Sequence, residues 1–329
     1  MMEEYVRFAL NRPALSSRAK RIRHTLCTQI EKMDSIRLLC NRNTERDVGR
    51  GIQVEGQLQR QSLEDCFIAA TKRASEALRV LAECTQPIDS AIAAIMEQLR
   101  FEVYALEKDV SLIFDSTRKF ASVRLYVLVN VGPDTPDIHV LDFTRRCALG
   151  GADCIQLRSK GICDNRLLEL ARQFTQLCRE NNVLSIINDR ADIAILADAD
   201  GVHLGQEDIP AFDARNLADR PLIVGASTHN PDELIRSIES GYDYIAIGPA
   251  FASSTKPDVK VAGPAYIKQA LQVLNDNNLP HVAIGGITEV NLRELISIGV
   301  RTAAVSSSIS TDTPEKDCKA LKSLLLDAN

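Results

Sequence analysis

The sequence predicts an α/β chain: a (β/α)8 TIM barrel with an additional all-α domain at its N-terminus. Three observations predict it. From residue 124 onward, short apolar runs rich in β-branched residues alternate with helical stretches. Eight such runs occur within about 205 residues, as a closed barrel of strand-helix units requires. Residues 1–119, by contrast, carry helix-period patterning only. An open doubly wound sheet is the alternative topology. The count of eight and the lack of a G-x-G-x-x-G after the first run weigh against it.

In the N-terminal part, SLEDCFIAATKRASEALRVLAECTQ (62–86) and IDSAIAAIMEQLRFEVYALEKDVSLIFDS (88–116) place apolar residues three and four apart, so each forms an amphipathic helix. Between the first residues and this pair, NRNTERDVGRGIQVEGQLQRQ (41–61) is charged and glycine-bearing and reads as a long loop, with ERDVGRG (45–51) its best candidate for a function. Residues 3–24 and 82–103 share an acidic start, a proline-containing turn and a helix ending in an apolar-Arg-aromatic or His triplet: Ile22-Arg23-His24 and Leu99-Arg100-Phe101. This weak internal duplication raises the expectation that the chain starts downstream of one natural helix or has lost it. The domain division expected from the change of texture is 1–119 and 120–329.

The barrel strands are expected at LYVLVN (125–130), CIQLR (154–158), LSIIND (184–189), GVHLG (201–205), LIVGAS (222–227), YIAIGP (244–249), HVAIGG (281–286) and TAAVSS (302–307). Continuous apolar character fits strands buried on both faces, and parallel neighbours need helical crossovers. Such crossovers are present, among them NRLLELARQFTQLCRENN (165–182), NPDELIRSIESG (230–241), TEVNLRELISIG (288–299) and TPEKDCKALKSLLLDA (313–328).

Composition narrows the function classes. Hydrophobic residues make up 45% and charged residues 25%, enough apolar side chain for a real core. The net charge is −5; residues 1–120 carry 19 Lys and Arg against 17 Asp and Glu, and the remainder 20 against 27. An acidic barrel argues against nucleic acid as partner. No signal peptide or membrane-length apolar stretch is visible, and the nine cysteines show no Cys-x-x-Cys pair, so they read as core residues of a protein in the reducing cytoplasm. Small-molecule substrates are the expected partners, with a homo-oligomer left open.

A barrel carries its chemistry at the C-terminal mouths of its strands, so polar residues should end each apolar run. Gln156, Arg158 and Lys160 end the second run, Asn188 and Asp189 the third, His203 and Asp208 the fourth, and Ser227 and His229 the fifth. Ser253, Thr255 and Lys256 follow the sixth, Gly285 and Gly286 the seventh, Ser306 and Ser307 the eighth. The glycines and serines of the last two mouths suit a phosphate site, the lysines and hydroxyls add donors, and Asp189 with Asp208 offers two hard oxygen ligands for Mg2+ beside substrate phosphates. No mouth pairs a nucleophile with a base in the Ser-His-Asp or Cys-His manner. Each residue also has a plainer reading: His203 as a hydrogen-bonded structural histidine, Arg158 and Arg190 as ion-pair partners, and Asp208 as a helix cap ahead of Ile209-Pro210.

QLRSK (156–160), INDRADIAILADADGVHLGQEDIP (187–210), GASTHN (225–230), YIAIGPAFASSTK (244–256), AIGGI (283–287) and AAVSSSI (303–309) together resemble the successive signatures of thiamine phosphate synthase. The resemblance covers residues 124–310. It implies a transferase that couples 4-amino-2-methyl-5-hydroxymethylpyrimidine diphosphate to 4-methyl-5-(2-hydroxyethyl)thiazole phosphate by a dissociative, Mg2+-assisted substitution, releasing pyrophosphate. Carried over by position, Gln156, Arg158, Lys160, Asn188, Ser227 and Lys256 would bind the pyrimidine diphosphate, and Asp189 and Asp208 would hold Mg2+. Ser253, Thr255, Gly286, Ser306 and Ser307 would form the thiazole phosphate site, and Lys160, Asn188, Asp189, Asp208 and Lys256 would carry the catalysis. Departures from the family pattern stand at Ser159 (usually Glu), Ser253 (usually Thr) and Ser306 (often Val). The competing reading is a thiazole tautomerase-like or non-catalytic phosphate-binding barrel of the same superfamily. Some members carry a helical N-terminal extension similar to this one, whose plainer role is packing or oligomerisation rather than channelling or regulation.

Overall fold

Each of eight parallel strands pairs with the next in sequence, and the last returns to the first: β1 (Leu125–Val131), β2 (Cys154–Ser159), β3 (Leu184–Asn188), β4 (Gly201–Leu204), β5 (Ile223–Thr228), β6 (Tyr244–Ile247), β7 (His281–Ile284) and β8 (Ala303–Val305). Closure is set by Leu125 standing opposite Ala303 and Val127 opposite Val305. This is a computed structural model, and it describes residues 1–10, 12–33, 35–40, 45, 60–218, 220–252 and 261–327.

Every residue of β4, β6 and β8 is buried, which is why the runs read as continuous apolar segments rather than alternating ones. Alternation is still present, between two kinds of burial. Val127, Leu157, Ile187, Val202, Val224, Ile245, Ala283 and Val305 point outward into the shell beneath the helices. Tyr126, Cys154, Ile186, Ile223, Tyr244, Ala246, Val282 and Ala304 point inward and fill the barrel. A slip of one residue would exchange the two sets, so the packing of both layers fixes the register.

The covering helices are α6 (Asp137–Leu149), α7 (Asp164–Glu180), α8 (Ala191–Leu196), α9 (Ala211–Asn216), α10 (Pro231–Ser240), α11 (Gly263–Asp276), α12 (Glu289–Ser297) and α13 (Pro314–Leu326). Their starts follow local chemistry. Asn230 accepts from the Glu233 N–H at 3.0 Å ahead of Pro231, and Thr288 and Asn291 form a reciprocal capping box.

The N-terminal part comprises α1 (Met2–Glu4), a π-helical turn (Tyr5–Ala9), α2 (Pro13–Glu31), α3 (Ser35–Cys40), α4 (Leu63–Thr85) and α5 (Ser90–Ala121). Met96, Leu99, Val103, Leu106 and Val110 of α5, spaced by three and four, are all fully or almost fully buried. Residues 3–24 and 82–103 each run from helix through a turn into a helix, as the repeat suggests. Except for residues 45, 60 and 61, the loop expected at 41–61 lies outside the described residues.

Two compact units emerge, Met1–Ser111 and Leu112–Asn329. The division falls within α5, ahead of the residue 119 at which the texture changes. Helical patterning persists to Ala121 while Phe120 already belongs to the barrel, stacking on Tyr244 with ring centroids 3.8 Å apart.

The cysteine expectation needs correction. Cys147, Cys154, Cys178 and Cys318 are buried, but Cys27, Cys40 and Cys84 on helix surfaces and Cys163 at the N-cap of α7 are exposed, because such positions also accept this small side chain. Among the described residues, no helix is long and apolar enough to cross a membrane.

Candidate active site

The inward positions of the strands change character along the barrel. Near the strand starts they are apolar, and toward the C-terminal mouths they open into a cavity of about 410 Å3. Its lining brings together Gln156, Arg158, Asn188, Ser227, Gly286, Ser306 and Ser307 of the predicted set. Strand geometry explains the selection: Gln156 and Arg158 are two apart on β2 and share the inner face, whereas Ser159 falls on the other face. The Ser159 departure therefore sits off the cavity wall, and the side chain that orients Arg158 comes from the neighbouring strand.

That side chain is Asn130. Arg158 Nη1 donates to Asn130 Oδ1 at 3.1 Å, and Asn130 Nδ2 donates to Ser306 Oγ at 2.8 Å. Ser306 Oγ also reaches the Leu128 carbonyl at 3.3 Å, so this hydroxyl is engaged within the protein. Among the described residues no carboxylate pairs with Arg158, so the ion-pair reading does not apply to it. It does apply to Arg190, which binds Asp164 at 2.6 Å and Asp192 at 2.7 Å. Asn130 supplies the polar residue of the first mouth, which the sequence left without one.

Below the mouth runs a buried polar chain. Gln156 Nε2 donates to the Tyr126 hydroxyl at 2.9 Å, the two tyrosine hydroxyls are 3.0 Å apart, and Tyr244 meets His203 Nδ1 at 2.9 Å. His203 Nε2 lies 2.8 Å from Ser227 Oγ. Burial pushes both phenols well above their ordinary range, so they are neutral. His203 thus has the hydrogen-bonded environment of its structural reading and also lines the cavity. Sequence reasoning missed Tyr126 and Tyr244. The available signal was period two: Tyr126 is two residues before Leu128, which stands opposite Gln156.

At the seventh mouth, Gly286 has a φ of +59°, and a Cβ there would lie 2.2 Å from the Ala252 carbonyl oxygen. Only glycine suits both constraints. Asn291 Nδ2 donates to the Gly286 carbonyl at 2.9 Å, holding this turn beside Ser306 and Ser307 of the next mouth.

Asp189 follows β3 in the left-handed region, with φ +62°, and its N–H donates to the His203 carbonyl at 2.8 Å. A non-glycine residue held there at a strand mouth is a feature of functional sites. Asp208 Oδ2 accepts from the Gly205 N–H at 2.6 Å, and the cap of α9 is Pro210. The helix-cap reading of Asp208 is therefore replaced by one in which its carboxylate folds back on the end of β4. Neither Asp189, Asp208 nor the exposed Lys160 lines the cavity itself. Among the described residues no three His, Cys, Asp or Glu side chains cluster as a self-sufficient metal site. Asp189 and Asp208, at adjacent mouths, are the carboxylates that could hold a divalent cation. Ser253, Thr255 and Lys256 lie outside the described residues.

Comparison with known proteins gives this geometry its family. The profile of the thiamine monophosphate synthase family matches residues 125–309, more than half the chain, and that of the ThiD2 family matches residues 1–109. The chain belongs to the thiamine monophosphate synthase family. The thiamine-phosphate synthase of Rhodopirellula baltica is 33% identical over 315 residues, covering 94% of this chain and 84% of that protein. Its counterpart in Synechocystis sp. is 35% identical over 312 residues, covering 95% and 87%. A relative aligned over this much of the chain carries the N-terminal unit as well as the synthase-family barrel. Among solved structures, the thiamine phosphate pyrophosphorylase of Pyrococcus furiosus is 31% identical with a TM-score of 0.56, covering 64% of this chain and 98% of that one.

Proposed function

We propose that the chain is a thiamine-phosphate synthase, a transferase joining 4-amino-2-methyl-5-hydroxymethylpyrimidine diphosphate to 4-methyl-5-(2-hydroxyethyl)thiazole phosphate with release of pyrophosphate. The observation that carries this reading is one cavity lined from both sides: Gln156, Arg158, Asn188 and Ser227 on one, and Gly286, Ser306 and Ser307 on the other. Two half-sites of this kind suit two phosphorylated substrates in a single chamber.

The inventory fits a dissociative substitution. An electron-rich aminopyrimidine loses pyrophosphate to give a stabilised cation, so the protein needs to neutralise the leaving group and orient the thiazole nitrogen rather than abstract a proton. Arg158, Lys160 and Lys256 supply positive charge toward the diphosphate, Gln156, Asn188 and Ser227 hold the pyrimidine half, and Ser253, Thr255, Gly286, Ser306 and Ser307 hold the thiazole phosphate. Mg2+ held by Asp189 and Asp208 would supply further neutralisation of the leaving pyrophosphate. Ser306 contributes through its backbone, since its hydroxyl is taken by Asn130 and Leu128. The N-terminal helices over 1–119 act as a packing or oligomerisation module, and the enzyme works in the cytoplasm on small-molecule substrates.

A titration of Mg2+ against thiamine phosphate formation by the purified chain tests this assignment. Metal-dependent product, lost in Asp208→Ala and in Lys256→Ala, is the expected result. Product formation unaffected by either substitution contradicts the site.

A further inference from the structure

The five residues of the buried chain lie far apart in sequence and on five different strands: Gln156 on β2, Tyr126 on β1, Tyr244 on β6, His203 on β4 and Ser227 on β5. Two hydroxyls and an imidazole can in principle pass their protons along such a chain in either direction. The end at Gln156 sets the order. An amide nitrogen only donates, so the Tyr126 oxygen accepts from Gln156 Nε2, and of the two groups facing its hydrogen the Tyr244 oxygen, 3.0 Å away, is a far better acceptor than the Cys154 thiol. Tyr244 then has its hydrogen left for His203 Nδ1, and His203 carries its proton on Nε2, facing Ser227 Oγ.

The geometry points to Tyr126 and Tyr244 as positioning residues that lock His203 in its Nε2–H form, so that Ser227 accepts from the imidazole and presents its own hydrogen to the ligand. The chain thereby decides what the cavity recognises at this point. Ser227 becomes a fixed donor, selecting a ligand with an acceptor there, such as a phosphate oxygen or an aromatic ring nitrogen. The reverse order would have Ser227 donate to His203 and leave only lone pairs for the ligand.

Packing holds the chain in place. Gly225 stands opposite Tyr244 in the register, and a Cβ at Gly225 would fall 2.0 Å from Tyr244 Cζ, so the tyrosine crosses the barrel only because that side chain is absent. Phe120 stacks on the Tyr244 ring with an interplanar angle of 4°. Full burial keeps both phenols neutral, so neither hydroxyl loses the hydrogen it passes on. The identity of the ligand atom rests on the synthase reading; the proton order does not.

The test is 15N NMR of the full chain labelled at its five histidines, with the His203 signals identified by their absence in His203→Asn. The expected spectrum shows Nδ1 of His203 unprotonated and Nε2 protonated. Tyr244→Phe, which removes only the hydroxyl, should convert it to a tautomer mixture, and Tyr126→Phe, which leaves Tyr244 able to donate to or accept from His203, should weaken the preference in the same direction. In turnover, Tyr244→Phe should raise KM for the pyrimidine diphosphate about tenfold, with KM for the thiazole phosphate unchanged. A wild-type proton on Nδ1, a tautomer indifferent to Tyr244→Phe, or equal changes in both KM values would overturn the proposal. Failure of the synthase reading shows separately, as a wild-type chain with the expected His203 spectrum and no thiamine phosphate.

Discussion

Asn130 accepts a hydrogen bond from Arg158 at 3.1 Å, so a neutral amide orients this cation at the cavity wall, and among the described residues no carboxylate pairs with it. An amide leaves the guanidinium its full charge for a substrate anion, where a carboxylate partner would satisfy much of it. Asn130→Ala should weaken use of the pyrimidine diphosphate by roughly tenfold in kcat/KM, about 1.4 kcal/mol. Steady-state kinetics of Asn130→Ala, Arg158→Ala and the double variant check this. Because Asn130 acts largely through Arg158, the double variant should lose less than the sum of the two, and strict additivity would contradict the assignment.

Gly286→Ala tests the turn proposed to hold the thiazole phosphate. With φ at +59° and the Ala252 carbonyl oxygen 2.2 Å from the added Cβ, the turn has to shift. We expect about 1–3 kcal/mol of destabilisation together with a raised KM for the thiazole phosphate, read by thermal melting and by kinetics. Unchanged thiazole kinetics would detach this turn from the site.

Asp243 provides a contrast remote from the cavity. Its Oδ2 is fully buried, 2.7 Å from Arg215 Nη2 and 2.8 Å from the Val224 N–H. Asp243→Ala leaves the arginine and the strand amide without their acceptor and should cost about 3–5 kcal/mol in denaturant unfolding. KM values of the remaining folded protein should match the wild type.

His281 predicts a pH dependence of stability. Burial, aided by the charges of Arg124 and Arg301, pushes its pKa down to about 4, and its Nε2 accepts from the Arg301 N–H at 3.0 Å. The unfolded chain binds this proton near pH 6.5 and the folded chain does not, so stability is present above pH 6.5 and falls as pH drops toward 4. The contribution is on the order of 2–3 kcal/mol across that window. Denaturant midpoints at pH 7 and pH 5 should converge in His281→Gln relative to the wild type.

The strands were legible because burial on both faces writes them as continuous apolar runs, and the mouths because each run ends in polar residues. The buried chain was not legible. Tyr126 and Tyr244 are 118 residues apart and look like ordinary aromatic strand residues until closure points both into the barrel. Asn130 was hidden for a related reason: flanked by Val129 and Val131, it reads as the tail of an apolar run, and only its pairing with Arg158 across β1 and β2 gives it a role. Asp208 shows the opposite limit. Its place before Ile209-Pro210 is a fair helix-start pattern, yet the folded turn spends its carboxylate on Gly205 instead.

The central claim is that one cavity joins two phosphorylated halves. Its most direct test is the stoichiometry of thiamine phosphate and pyrophosphate formed by the purified full-length chain supplied with both halves, and with each half alone. The account predicts equal amounts of the two products, appearing only when both halves are present. Turnover of the thiazole phosphate by itself, or no product from a folded chain, would contradict it and favour the tautomerase-like or non-catalytic barrel.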